Sequence, residues 1–332
     1  MVIKTVDYSE VIEDSVLVLR KHLILFVPNI MLVLVSLLLF VLFFHMSGLS
    51  EMFIMNPYLT DDPHALSELF SSVSSTSQFV SALALFLILE LFLSGFFLVM
   101  KFGMMRDVIR KGKTSLRSGA EFAEKNYFNF IVVHLATKAI IYIPLFVLLF
   151  IYFLVVKSSQ YVFLSHFLMG LFGVVWFFYA VLMTMRLLFV YPVMTFGHDK
   201  YFKVIAHEFH YVKTHITHTV ISFLIVLAVL FGYAFVRESV NIIGLKVQGH
   251  VIITMLIVIS LLLEVIVTTW EHLFIFKSYN ESRKIDRIVK ESSKGTRPRK
   301  TAKTASAKKA NKKNSKRISS SKSKSKPKKK TK

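Results

Sequence analysis

The chain has 332 residues, of which 54% are hydrophobic and 14% aromatic, and it contains no cysteine. Its apolar residues form blocks longer than the core helices of a soluble domain require, which excludes an ordinary soluble enzyme. The absence of cysteine excludes disulfides, thiolate metal sites and cysteine nucleophiles. Most of the net charge of +21 belongs to residues 277–332, which contain 23 basic and 3 acidic residues, whereas residues 1–276 contain 18 and 17.

Six apolar segments have the length, or nearly the length, to cross a bilayer. A hydrocarbon core of about 30 Å requires roughly 20 apolar residues in a helix. The fifth segment has 17 residues before Arg237 and could borrow a turn from Ile216–Thr219. The first is too long for the apolar region of a signal peptide and lacks a cleavage site. We predict an all-α, polytopic membrane bundle of six transmembrane helices within residues 23–276, with spans at about 23–44, 79–100, 131–156, 161–185, 220–236 and 251–276.

The basic residues of the connecting segments alternate between many and few, which predicts the orientation. Loops rich in Lys and Arg stay in the cytoplasm. The counts are three (1–22), none (45–78), seven (101–130), one (157–160), four (186–219), two (237–250) and 23 (277–332). We therefore expect a multi-pass protein of the cell membrane with its N- and C-termini in the cytoplasm.

A segment of mixed polar and apolar residues precedes each odd-numbered span. These segments are Tyr8–His22, Leu116–Asn129 and Tyr201–His218, and their apolar residues recur at helical spacing. We predict three cytoplasmic amphipathic helices lying at the membrane surface, related by a threefold repeat, the first of them within residues 1–22. The alternative is that any segment leading into a membrane helix has this pattern.

A motif surrounds the connection between the fourth and fifth spans. It runs from Arg186 through Pro192 to Asp199, and continues with Ala206-His-Glu-Phe-His and Lys213. This motif resembles the pattern of a prokaryotic six-helix family. In that pattern a helix ends in Arg and is followed by a Pro, an acidic turn and an amphipathic helix that ends in a basic residue. That family is related to the membrane domain of glycerophosphoryl diester phosphodiesterase. The resemblance implies the fold and the membrane location but not hydrolysis, because the spans are followed here by a basic tail.

Two carboxylates are expected deep in the bilayer. Glu90 and Glu264 lie 11 and 13 residues after the starts of their segments, which at about 1.5 Å per residue is near the midplane. A charge there costs at least about 2.5–3.5 kcal/mol, so such residues usually face the bundle interior or a cavity. Lys138 and Arg186, nearer the cytoplasm, could pair or snorkel. We interpret these four residues as an intramembrane ion or proton site. The alternative is that each Glu is protonated, or hydrogen-bonded across helices, and holds the bundle together.

Four histidines, at positions 207, 210, 215 and 218, suggest a second kind of site. Their spacing is not that of the zinc proteases, in which the second His follows the first by four positions; Tyr211 stands there. We expect histidines at the membrane interface that can gain charge as pH falls. A metal cluster of His207, His210 and His218 is the alternative, and no metal or other cofactor is predicted.

The tail is the other distinctive feature. Residues 292–332 contain 18 Lys or Arg and no acidic residue, and their only large aliphatic residue is Ile318. Such a segment cannot bury enough apolar surface to fold, so we predict disorder from about residue 292. Anionic lipid headgroups are the nearest polyanion, with the ribosome or nucleic acid as alternatives, and a merely solvated tail is the remaining one. The predicted polyanion-binding residues are Lys308, Lys309, Lys312, Lys313, Lys316, Arg317, Lys322, Lys324, Lys326, Lys328, Lys329 and Lys330.

Together these features predict a non-enzymatic integral membrane protein of unassigned activity. Its tail would engage a polyanion, so that the protein acts as a tether or an assembly factor. The alternative is a carrier or channel for an ion or small solute that uses Glu90 and Glu264. No nucleophile elbow, phosphate loop or paired-carboxylate signature supports a catalytic site.

The predicted orientation can be tested with single cysteines, because the chain has none of its own. In intact cells, a membrane-impermeant maleimide should label Ser50→Cys and Ser239→Cys, and it should label Ser118→Cys only after lysis. Labelling of Ser118→Cys alone in intact cells would invert the topology.

Overall fold

The computed structural model describes residues 6–50, 76–158, 162–197, 199–246 and 250–295. Within these ranges all regular structure is helical and no strand occurs. Most of the loop between the first two spans, and the basic tail after Gly295, lie outside the described residues. The chain divides after Ser282 into two units, and the contacts described below belong to the first.

A 3-10 turn, Leu23–Phe26, joins the first two helices. In chain order they are α1 (Tyr8–Lys21), α2 (Val27–Met46), α3 (Ser77–Lys111), α4 (Leu116–Ser158), α5 (Val162–Arg186), α6 (Val190–Phe196), α7 (Phe202–Thr214), α8 (Ile216–Lys246) and α9 (His250–Gly295).

Within the described ranges, six helical segments are long and apolar enough to cross a membrane, which confirms the predicted number. Their bounds are wider than the apolar runs, because charged residues such as Arg237 and Glu238 are good helix formers and do not end a helix. The fifth span begins at Ile216, so it includes the turn that the sequence suggested. The segments are Leu23–Met46, Ser77–Lys111, Leu116–Val155, His166–Phe196, Ile216–Gly244 and Thr254–Ile288.

Two of the three amphipathic segments form separate helices, α1 and α7. The Asp7 carboxylate caps α1 by accepting hydrogen bonds from the backbone N–H groups of Ser9 and Glu10. The second segment differs from the prediction, because it is the first part of α4 and continues directly into the span. Between positions 120 and 143 no Gly or Pro interrupts that helix. The location of these helices at the membrane surface stays a prediction.

The buried core lies at the ends of the spans that adjoin α1, α6 and α7. It consists mainly of residues from three stretches, 99–108, 187–196 and 273–279, with apolar residues of α1 and α7 packed against them. We call this region the basal core. It packs the second, fourth and sixth spans against the amphipathic helices. This packing determines which residues lie next to the polar side chains nearby.

Elsewhere the spans expose large apolar side chains. On α4, Phe146, Phe150 and Phe153 are each more than 60% exposed. In water this exposure would be unfavourable. In a bilayer it is not, because lipid chains are as apolar as the side chains of a protein core. The pattern is therefore that of a helix bundle whose outer faces contact lipid.

Helices α3 and α4 approach each other closely at two glycines. A Cβ added at Gly103 would lie 2.6 Å from the ring of Phe122. One added at Gly119 would lie 2.5 Å from Met104 and 3.0 Å from the backbone oxygen of Met100. Only a residue without a side chain permits this spacing, so these glycines set the distance between the two helices.

Candidate functional site

Glu90 lies between α2 and α3 and is hydrogen-bonded across their interface. Ser36 Oγ donates to Glu90 Oε1 at 2.8 Å. The second oxygen, Oε2, is buried and has no partner among the described residues, and the same holds for Ser94 Oγ, one helical turn further along α3. Buried polar atoms normally have partners. These oxygens would be satisfied by a proton, a water molecule or a small cation.

Glu264 lies in a different environment. It lines a cavity of about 520 Å³ between α8 and α9, together with Arg237, Asn241 and Ser260. The hydroxyl of Tyr233 interacts electrostatically with both Glu264 and Arg237. Since Glu90 is not among the residues lining this cavity, the structure does not bring the two glutamates together there.

The two predicted cationic partners lie elsewhere as well. Lys138 is exposed on α4, with its ammonium 5.9 Å from the centre of the Tyr142 ring. Arg186 is exposed at the end of α5. Within the part of the chain that the structure describes, no ion pair joins either residue to Glu90 or Glu264. The four residues of the predicted ion site are therefore not one cluster.

The three histidines of the metal alternative are also separated. His207 Nδ1 lies 2.7 Å from Asp199 Oδ2, His210 is exposed on α7, and His218 lies on α8. Helix α7 ends at Thr214, so the four histidines do not share one continuous helix. Among the described residues, no group of three or more His, Asp or Glu side chains has an arrangement suited to a metal ion. The twelve predicted tail residues, from Lys308 to Lys330, lie outside the described residues.

The structure instead reveals a buried polar cluster that the sequence analysis missed. Lys101 of α3 is 1% exposed, and its Nζ donates to Asn29 Oδ1 of α2 at 2.8 Å. Asn29 Nδ2 in turn donates to Thr269 Oγ1 of α9 at 2.6 Å and to Thr268 Oγ1 at 3.2 Å. Lys101 Nζ also lies 3.1 Å from His272 Nδ1. We call these five residues the lysine cluster, and they join three membrane helices.

Two neighbours compete for one ring nitrogen of the histidine in the lysine cluster. His272 Nδ1 lies 2.7 Å from the backbone oxygen of Thr268 and 3.1 Å from Lys101 Nζ. A carbonyl oxygen only accepts and an ammonium only donates, so Nδ1 can hydrogen-bond with one of them at a time. Asn29 Oδ1 is an acceptor for the Lys101 ammonium with either tautomer, and Glu271 attracts the ammonium electrostatically. Both interactions offset part of the cost of burying the charge.

Sequence counting placed Lys101 in a basic loop, which is why the lysine cluster escaped notice. One signal could have found it. Glu90, Ser94 and Lys101 are separated by four and seven residues, and at 100° per residue they lie on one face of α3. Ser36 and Asn29, seven residues apart, lie on one face of α2. The two faces meet through the Ser36–Glu90 and Asn29–Lys101 hydrogen bonds, and we call these five residues the polar column.

A second group of contacts attaches α1 to the last two spans. Tyr8 Oη lies 2.7 Å from His218 Nδ1, and Ser278 Oγ lies 3.3 Å from His218 Nε2. The buried Lys277 donates to the exposed Asp14 in an ion pair. The His218 side chain is therefore held within the basal core by its neighbours.

Glu208 links the two halves of the motif quoted for the family resemblance. It is fully buried on α7, and its Oε1 accepts a hydrogen bond from the backbone N–H of Phe189 at 2.9 Å. Phe189 lies in the turn between α5 and α6, where no helical partner satisfies that N–H group. Burial raises the pKa of Glu208 to about 8, and the hydrogen bond from Phe189 opposes this shift in part. The carboxyl is thus protonated at neutral pH.

This raised pKa makes folding stability depend on pH. The unfolded chain releases the Glu208 proton near pH 4.5, whereas the folded chain keeps it up to about pH 8. Stability that is fully present below pH 4.5 is therefore lost as pH rises to about 8, by at most about 1.4 kcal/mol per pH unit. Glu208→Gln should remove this loss.

Thermal unfolding in detergent between pH 5 and pH 8 measures the effect. The melting temperature of Glu208→Gln relative to the parent should rise with pH. Glu124→Gln, in which an exposed carboxylate of α4 is replaced, should follow the parent at every pH. Parallel profiles for parent and Glu208→Gln would contradict the assignment.

A scan against protein-family models, a search of the curated proteins and a search of the solved structures each found no match to this chain. The resemblance to the six-helix family therefore stays a prediction.

Proposed function

We propose that this chain is an integral membrane protein, without enzymatic activity, that tethers a cytoplasmic polyanion through its basic tail. The observation that carries the proposal is the separation of charge: residues 1–276 are nearly neutral, whereas residues 292–332 contain 18 basic residues and no acidic one. Fixing the orientation of the last span does not need so many charges.

The packing of α9 supports this function, because a tether needs a firm anchor. Phe274, Phe276 and Tyr279 of α9 are at most 1% exposed, and Ser278 and Ser282 are buried as well. The helix that leads toward the tail is thus held by the basal core up to Ser282. Pulling on the tail would load the whole bundle and not one isolated span.

Anionic lipid is the favoured polyanion. The tail starts close to the predicted membrane surface, and each Lys or Arg near an anionic leaflet contributes about 1 kcal/mol. The ribosome and nucleic acid are bound by the same electrostatics, and the experiment below distinguishes them.

Full-length protein and a variant ending at Gly295 should be compared in nanodiscs of purely zwitterionic lipid. Binding of anionic vesicles, of single-stranded RNA and of ribosomes is measured against salt concentration. If a third to a half of the 18 charges engage RNA, log K should fall with log salt with a slope of about −4 to −6. The truncated variant should bind none of the three.

A matched pair of variants separates charge from chain length. Changing the six lysines between Lys322 and Lys330 to Gln should weaken binding and make the slope shallower. Changing Ser319, Ser320 and Ser321 to Ala should leave both unchanged. Equal binding by full-length and truncated protein would contradict the tether function. Binding of RNA or ribosomes without binding of vesicles would show that nucleic acid or the ribosome, and not lipid, is the partner.

A carrier for protons or a small cation is the second candidate, and the polar column favours it. The unpartnered oxygens of Glu90 and Ser94 lie seven or more residues from Lys101 along α3, a separation of roughly 10–17 Å. Polar groups at several depths in one bundle are what a proton or cation path requires. Glu264 lines a separate cavity, so the carrier proposed here uses Glu90 and not Glu264.

Proteoliposomes loaded with a pH-sensitive dye and driven by a potassium diffusion potential test the carrier. Glu90→Gln should abolish proton flux without changing the melting temperature, because Gln keeps the shape and a hydrogen-bonding amide but cannot ionise. Glu264→Gln is the matched control and should keep the flux. Proton flux in parent vesicles that is no faster than in protein-free ones would contradict the carrier function. So would a Glu90→Gln variant that keeps the flux and only has a lower melting temperature.

A further inference from the structure

A cavity of about 500 Å³ lies between the first span, the end of α1, and the helices α8 and α9. Its walls are aliphatic and aromatic, and among the described residues that line it Arg20 is the only charged one. This volume falls within the range of about 300–1,000 Å³ that is usual for small-molecule sites. The cavity is therefore large enough for part of a lipid molecule.

The depth of the cavity follows from its lining residues. Arg20 lies in the last turn of α1, just before the turn that starts the first span. Trp270 lines the cavity on α9, and Trp side chains are enriched at the membrane–water interface. Leu262, another lining residue, precedes Trp270 by eight residues, or about 12 Å of helix. The cavity thus has apolar walls, to which Arg20 contributes its aliphatic stem, and the exposed Arg20 side chain at the end of α1 marks its interfacial end.

We propose that this cavity binds an anionic phospholipid, with one acyl chain against the apolar walls and the headgroup phosphate on the Arg20 guanidinium. Charge complementarity selects the occupant, because Arg binds phosphate through paired N–H groups. Both basic residues at the end of α1, Arg20 and Lys21, are exposed, whereas its acidic residues Glu10, Glu13 and Asp14 lie in the first two turns. The site consists of residues before position 283 and does not depend on the basic tail.

The two tryptophans of the chain, Trp270 and Trp176, allow a direct test. With Trp176→Phe, the remaining fluorescence comes from the cavity. With Trp270→Phe, it comes from α5, whose tryptophan reports lipid elsewhere around the bundle. Full-length protein is reconstituted in vesicles in which either an anionic or a zwitterionic phospholipid carries bromine on its acyl chain, and quenching is measured against its mole fraction.

At Trp270, the anionic brominated lipid should reach half-maximal quenching at about fivefold lower mole fraction than the zwitterionic one, the preference expected from one Arg. Arg20→Gln should bring this ratio to about one. Lys21→Gln is the matched control: it removes a neighbouring charge that does not line the cavity, and it should keep the ratio.

Three outcomes would overturn the site. One is a ratio near one at Trp270 in the parent. Another is an equally high ratio at Trp176, which would mean that the tail only enriches anionic lipid around the whole protein. The third is an Arg20→Gln variant that keeps the preference.

Discussion

The side chain of Asn29 joins three membrane helices, and the arrangement of the basal core depends on this junction. Its oxygen accepts from Lys101 of α3, and its nitrogen donates to Thr269 of α9. Within hydrocarbon no water can replace these bonds, so a shift of one helix along another would leave a charge and an amide unsatisfied. The lysine cluster therefore fixes the register of α2, α3 and α9, and the apolar residues around it pack in that register.

The location of this junction explains how the rest of the bundle is built. Phe102, next to Lys101, stacks on Tyr191 and Phe276, so the same turn of α3 contacts the segment after α5 and the last span. Glu208 and the ion pair between Asp14 and Lys277 then attach α7 and α1 to this packing. The outer faces of the spans expose apolar side chains, which suits contact with lipid instead of a protein partner.

The polar column, the Arg20 cavity and the tail place charged side chains in three different surroundings. The polar column hydrogen-bonds Lys101 and Glu90 to neutral partners, Asn29 and Ser36. The cavity places the exposed Arg20 beside an apolar space. The tail places 18 cations in one segment with no acidic neighbour within it. A rigid basal core is useful to all three, because it holds α1, α3 and α9 in fixed positions.

The six spans can be recognised from the sequence alone, because a run of about 20 apolar residues has few alternatives to a membrane helix. The sequence also predicts that Glu90 and Glu264 lie deep in the bilayer, since depth along a span follows from residue count. Tertiary structure decided which polar residues meet. Glu90 contacts Ser36 and Glu264 lines a cavity with Arg237, although the sequence predicts a similar depth for both glutamates. Lys101, at the end of an apolar run, is buried because α3 continues to Lys111 and packs against α2 and α9 there. The rotation of each helix and the partners of its polar residues depend on contacts between residues far apart in the chain. Composition, spacing and loop charge do not show which of these residues meet.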